Sequence, residues 1–469
     1  MLGDLVNHLD IAIGPFFTTE ELDQLARESG FVRRAGKING SLFFELLVFH
    51  SESLKTESLN DLSADLKMRR GVDIRRQSLH ERFNQSALVF LMVALEELLQ
   101  KQLNLEICKE LKGFKRILIK DSTSFQIDES LEAYYPGSGG SGSSASIRIQ
   151  FEYDLLTGTI NDLSINAFND QDAKDSMATI ELTQAGDLVI RDLAYMGIEV
   201  LREIVERCAY YLCRPSPSVK IYEKRGDEYV ELNFDALRKY MKKHGFQTME
   251  KEVYLGKKDR FKTRLVLHYL PEEVISRRIR KARASNKKHG RGNLTKEYIA
   301  RAHLNLFITN ASVELISAQD TWALYRLRWQ IELIFKVWKS ICSIANVKKV
   351  TRYRLECYLY AKLILIVIGW QVIWRTAALL FLHEGKVISF FKAAKTLFKK
   401  QRNSLAGVFM LNTIPASGFM EKYYSLSRSN HLLERRLGQP TSFELLLESM
   451  IRVGPSGNKS NSAFAGGLA

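Results

Sequence analysis

RILIKDSTSF, residues 116–125, sets the fold. Ile117, Leu118 and Ile119 form an apolar run between Arg116 and Lys120, which predicts a short buried strand with Asp121 at its carboxyl end. Downstream, SIRIQFEYDLLTGTINDLSINAF (residues 146–168) alternates with period two on both sides of Thr157-Gly158 and predicts a hairpin. Between them, the glycine- and serine-rich PGSGGSGSSAS (residues 136–146) serves either as a cover for a ligand or as a plain linker. An amphipathic stretch at 173–184 follows, then DLVIR (residues 187–191), a second strand ending at Asp192. A helix at 198–207 and strands at 209–214 and 303–310 complete the pattern. Strands interleaved with helices indicate an α/β sheet, whose functional residues collect at the carboxyl edge.

A third acid stands on a later segment, TWALYRLRWQIELIFKVWKS (residues 321–340). Tyr325, Arg328, Glu332 and Lys339 are spaced so that, on a helix turning about 100° per residue, they fall within about 60° of one another. Leu327, Ile331, Ile334, Trp338 and Ile341 take the opposite side, which predicts that the helix packs its back into a core. The front offers a carboxylate among a guanidinium, an ammonium and a phenol, with Lys336 nearby. Three carboxylates able to hold two divalent ions about 3.5–4 Å apart, beside cations able to grip phosphate, suit phosphoryl transfer. Hard oxygen ligands select two Mg2+ ions, with Mn2+ as a substitute. Each acid also has a plainer role open to it: Asp121 in an Asx turn, Asp192 as a helix cap, Glu332 paired with Arg328.

The 469 residues carry a formal charge of +15, which points to a polyanionic partner, nucleic acid before membrane. Cys108, Cys208, Cys213, Cys342 and Cys357 are scattered without metal-ligand spacing, excluding a zinc site and fitting reduced cytoplasmic thiols. The amino-terminal MLGDLVNHLDIAIGPFF lacks the features of a signal peptide. Residues 363–374 are apolar but too short to span a bilayer, and predict a buried helix. The expectation is a cytoplasmic, nucleoid-associated protein with no membrane partner.

Residues 1–110 read as a helical DNA-binding region. Thr18 opens a helix that Gly30 ends, and SLNDLSADLKMRRGVDIRRQSLHERF (residues 58–83) has the layout of a helix-turn-helix. Its second helix would present Arg75, Arg76 and Gln77 to a groove; an ordinary helical hairpin with surface arginines is the alternative. Residues 111–214 hold the first part of the sheet, 215–301 a β-rich insertion and 302–350 the second part with the Glu332 helix. Residues 351–453 are helical, and 454–469 form a disordered tail. Near the insertion's end, RRIRKARASNKKHGR (residues 277–291) has eight basic residues in fifteen, Arg277, Arg278, Arg280 and Lys281 among them. Such a run predicts a solvated or mobile, phosphate-tracking segment.

DSTSF at Asp121, DLAYMG at Asp192, LFITN at 306–310 and YRLRWQIELIFKVWK at 325–339 together resemble the bacterial insertion-sequence transposases of the DDE class. The spacing Tyr-x2-Arg-x3-Glu-x6-Lys resembles the signature of the insertion sequence four group, and ELDQLARESGFVRR extends the likeness toward the amino terminus. The resemblance implies an RNase H-like core, a mixed five-stranded sheet with helices interrupted by the β-rich insertion. It implies that Asp121, Asp192 and Glu332 bind two metal ions, and that Tyr325, Arg328 and Lys339 grip the transposon end. It further implies a homodimer that synapses two terminal inverted repeats of double-stranded DNA, cuts them and joins the 3′-hydroxyls to target DNA. Some relatives pass through a DNA hairpin by stacking a flipped base on a tryptophan in the insertion. Here Trp322, Trp329, Trp338, Trp370 and Trp374 all lie outside it, leaving Tyr254 as a substitute platform. Two other functions fit the same residues: a catalytically silent DNA-binding regulator descended from a transposase, and an unrelated RNase H-like nuclease without strand transfer.

Overall fold

The computed structural model describes residues 16–102, 113–138, 143–170 and 172–434. The centre of the glycine-serine loop, Cys108 and the carboxyl-terminal tail lie outside these residues. The amino-terminal region is helical: α1 (Thr19–Glu28), α2 (Gly40–Glu45), a π-helical turn (Leu46–His50), α3 (Leu59–Arg70), α4 (Arg76–Glu81) and α5 (Gln85–Gln100). Thr18 and Ser58 each close a capping box with the acid three residues on, Glu21 and Asp61, which contributes about 1 kcal/mol per helix end. Gly71 ends α3 in the left-handed conformation, so the chain turns sharply into α4.

The central elements follow in chain order. β1 (Arg116–Gln126), β2 (Ser146–Asp154), β3 (Ile160–Ala167), α6 (Asp172–Ala178), β4 (Asp187–Arg191), α7 (Ile198–Glu206) and β5 (Tyr210–Cys213) come first. Next are β6 (Ile221–Arg225), β7 (Glu228–Glu231), α8 (Phe234–His244), β8 (Thr248–Leu255), β9 (Phe261–Tyr269), α9 (Glu272–Lys288), α10 (Lys296–Ala302) and β10 (Leu304–Thr309). The chain ends in α11 (Ala318–Arg326), a 3-10 turn (Leu327–Trp329), α12 (Gln330–Ser340), α13 (Arg352–Glu384), α14 (Phe390–Lys400), α15 (Arg402–Phe409) and α16 (Ala416–Asn430).

All the strands join one sheet of ten, in the order β3-β2-β1-β4-β5-β10-β9-β8-β6-β7. β1, β4 and β5 run parallel, whereas β2 and β3 fold back antiparallel as the hairpin. The sheet is therefore larger than the five strands expected. The strands of the insertion continue it through the β9–β10 pairing, because β9 offers β10 an unbroken edge from Arg264 to Tyr269. β1 feeds both sides: Ile117 and Ile119 enter the larger core and Leu118 the smaller one, the burial expected of a central strand. The larger core extends from Phe16 through β1 and α13 to Tyr423, so the amino-terminal helices share it with the sheet.

Three expectations need correction. Asp121 lies inside β1, not at its end, because pairing with β2 continues to Gln126 after the parallel pairing with β4 has stopped at Lys120. Most of the basic run at 277–291 is helical rather than mobile, though solvated as expected: α9 spans Glu272–Lys288, anchored by buried Val274 and Ile275, with Arg277, Arg280 and Lys281 exposed. The Tyr325–Lys339 segment is not one helix but α11 and α12 joined by the 3-10 turn. Residues 363–374 fall in α13, a 33-residue helix apolar enough to cross a bilayer, yet 89% of its most apolar window is buried within the protein.

Candidate active site

Lys120 pairs with Arg191 in the parallel β1–β4 register, so the next residues, Asp121 and Asp192, come side by side. Alternation along each strand sends the two cations to the opposite face from the two acids. Both cations are fully buried. Lys120 Nζ is 2.7 Å from Asp162 and 2.6 Å from Asp175, and Arg191 is 2.6 Å from Glu152. Removing one partner of such a pair leaves an uncompensated interior charge, at a cost of about 3–5 kcal/mol, so these pairs fix the register that aligns the acids.

Across from them, α12 and the 3-10 turn carry the third acid. Arg328 is 7% exposed, and its guanidinium bridges Asp121 Oδ2 at 2.6 Å and Glu332 Oε1 at 3.1 Å. Tyr325 is 3% exposed, and its hydroxyl donates to Asp192 Oδ1 at 3.3 Å. Lys339 donates to the Ser124 carbonyl at 2.8 Å, tying the end of α12 to β1. The three acids thus converge through Arg328 and the strand register. Burial pushes the Asp121 carboxyl up to about 6; Arg328 and the Ser122 N–H oppose that, while the Asp192 and Glu332 carboxylates add to it. Ile331, Ile334 and Trp338 are buried on the far side of α12, as their spacing predicts.

A fourth acid escaped sequence reasoning. Asp172, opening α6, accepts from Ser122 Oγ at 3.3 Å and Gln150 Nε2 at 3.1 Å and pairs with Arg148 at 2.5 Å. Its only signal was an acidic first turn on the amphipathic stretch. A cleft of about 540 Å³ opens here, lined by Ser138, Arg148, Phe168, Asp172 and Ala194. Among the described residues, no three His, Cys, Asp or Glu side chains are grouped closely enough to hold an ion as they stand. Arg328 supplies the positive charge between Asp121 and Glu332 instead.

A sequence model of the transposase DDE domain matches residues 112–368, more than half of the chain. The chain belongs to the DDE transposase family. Over 92% of its length this transposase is 30% identical to the transposase for insertion sequence element IS231F of Bacillus thuringiensis subsp. israelensis, covering 93% of that protein. It is 29% identical to the transposase for IS231B of Bacillus thuringiensis subsp. berliner, with 92% of each chain covered. Against the transposase for IS1151 of Clostridium perfringens the identity is 30%, over 84% of this chain and 86% of that one.

The other expected DNA-contact positions of the transposase divide by exposure. Arg75, Arg76 and Gln77 are exposed at the start of α4, as are Arg277, Arg280 and Lys281 on α9 and Lys336 on α12. Arg278 is turned inward, donating to Asn305 Oδ1 at 2.6 Å and to the Leu304 carbonyl at 3.3 Å. It braces α9 against β10, a role its place in a charged run could not reveal.

Proposed function

We propose that this transposase binds the terminal inverted repeats of its own insertion sequence, cleaves the ends by metal-dependent hydrolysis and joins the 3′-hydroxyls to target DNA. The observation that carries the reading is the β1–β4 register, which sets Asp121 beside Asp192 while Arg328 draws Glu332 to Asp121. In this reading the order β3-β2-β1-β4-β5 is the RNase H-like core, 215–301 is its insertion and residues 1–110 are the end-binding region. The spacing of Tyr325, Arg328, Glu332 and Lys339 supports membership of the insertion sequence four group, and in this reading the working assembly is a cytoplasmic homodimer on two DNA ends.

The donor set suits Mg2+ or Mn2+, since carboxylate oxygens are hard ligands. Asp121, Asp192 and Glu332 would hold the ions, which when bound activate the attacking oxygen and stabilise the leaving one. For that the Arg328 guanidinium leaves the carboxylates and takes a DNA phosphate as a bidentate fork, with Lys339 and Lys336 adding point charges along the strand. Tyr325 holds Asp192 in orientation through its hydroxyl. Arg75, Arg76 and Gln77 read the end, and Arg277, Arg280 and Lys281 track phosphates. Incubating the purified protein with an end-labelled element terminus and Mg2+ and resolving the products on a denaturing gel tests the reading. Nicked and strand-transferred products are expected, and intact substrate beside a stable DNA complex would favour a regulator that only binds.

A further inference from the structure

A second cationic site lies apart from the acids. A cavity of about 200 Å³ is bordered by His50, Glu52, Arg69, Lys399, Lys400 and Arg402, with Ile341 and Cys342, just past α12, on its wall. Two cations sit at or behind it with no carboxylate at ion-pair distance, although the Glu52 and Glu57 carboxylates lie near enough to act on both. Lys362, 1% exposed, donates to the carbonyls of Ser51 at 2.6 Å and Glu52 at 2.8 Å. Arg402 donates to the Val48 carbonyl at 3.0 Å and to the same Ser51 carbonyl. Among the described residues neither forms an ion pair, and the same holds for Lys399 and Lys400 at the rim. Burial, with Arg402 next to it, pushes the Lys362 ammonium well below the usual lysine range.

Two polar atoms here also lack partners among the described residues: Arg402 Nε and His50 Nδ1. His50 has a side chain 7% exposed, and its Nε2 lies 3.2 Å from Glu45. Arg69 pairs with Asp65 at 2.6 Å, and Glu52 is the one carboxylate on the wall. Interior cations without a direct ion pair are only partly compensated by Glu52 and Glu57, and an anion in the cavity offsets the remaining cost. The volume is below the roughly 300 Å³ of a pocket for a whole organic ligand but suits one charged group with its water.

We propose that this cavity binds a phosphate group, gripped by Arg402, Lys399 and Lys400. The same chemistry is offered by a DNA backbone phosphate and by a free phosphate or phosphate ester. The position favours DNA: from Glu332 to Ile341, at 1.5 Å per residue, is about 14 Å, the axial length of roughly four base pairs. The DNA source rests on the transposase reading; the phosphate site does not.

The full chain is melted in chloride and in inorganic phosphate at equal ionic strength, as wild type and as a Lys399→Gln/Lys400→Gln double variant whose changes lie on exposed side chains. Phosphate raises the wild-type Tm, and the variant binds phosphate roughly tenfold more weakly while melting as wild type in chloride. Arg402→Met removes a carbonyl-bonded group and serves as a second variant only where its chloride Tm is retained. Absence of phosphate-specific stabilisation in wild type, or one equal in the double variant, overturns the proposal. The DNA arm measures end affinity against salt. A slope reduced by about one or two in the double variant supports a backbone phosphate; an unchanged slope beside lost phosphate stabilisation overturns that source. A wild type that binds phosphate but neither binds nor cuts DNA would leave this site standing and refute the transposase reading.

Discussion

Arg328 holds Asp121 and Glu332 together, and the Tyr325 hydroxyl holds Asp192. Asp121→Asn, Asp192→Asn or Glu332→Gln should each lower end cleavage at least a hundredfold while DNA binding persists, because in the proposed function binding rests on basic side chains rather than on these carboxylates. A gel of labelled ends with a parallel mobility shift reads both quantities. The Asp121 carboxyl also sets a pH dependence. Its folded-state pKa, up to about 6 from 3.8, means the fold takes up this proton before the unfolded chain does. Without divalent ions, its penalty is therefore full above pH 6 and fades as pH falls toward 4. Asp121→Asn should accordingly melt above wild type at pH 8, with the gap narrowing by pH 5 and closing only below about pH 4. A gap that widens on acidification would contradict the shift.

At the level of elements, α4 is where end recognition can be tested without harming the fold. Arg75, Arg76 and Gln77 are exposed, so their triple replacement by Ala should leave Tm within a degree or two and remove the preference for element ends over random DNA. Excising residues 1–100 is a different experiment: Phe43, Leu91 and Leu95 belong to the core that includes α13, so truncation should yield aggregated protein. That distinction was not legible in the sequence, where a helical amino-terminal block reads as a separate unit. The strands were legible because period-two alternation in β2 and β3 and the apolar run of β1 are local signals. Asp121 and Asp192 could be aligned only as a guess, since register is set by contacts between distant segments such as Lys120–Asp162 and Arg191–Glu152. The break between α11 and α12 was hidden for a similar reason, because buried Leu327 and Arg328 fit a continuous helix equally well on paper. Arg278 likewise looked like its neighbours until β10 supplied the partner at Asn305.

Over the whole molecule, the β2–β3 turn is keyed into α13. Gly158 has φ of 74°, its carbonyl accepts from Trp370 Nε1 at 2.6 Å, and a Cβ there would lie 2.4 Å from the Trp374 ring. Gly158→Ala therefore combines left-handed strain with overpacking and should destabilise by about 2–4 kcal/mol, read from urea midpoints. A loss below 1 kcal/mol would mean that turn and helix can separate cheaply.

The ten-stranded sheet leaves two open margins, β3 and β7. β7 has only four residues, and its exposed Glu228 and Glu231 repel a like strand; β3 turns the charge of Asp162 inward onto Lys120. Both borders are poor templates for cross-β growth, so concentrated protein should resist fibril formation for as long as it stays folded. Replacing Glu228 and Glu231 with Val would remove the guard on one side and should raise thioflavin signal on incubation.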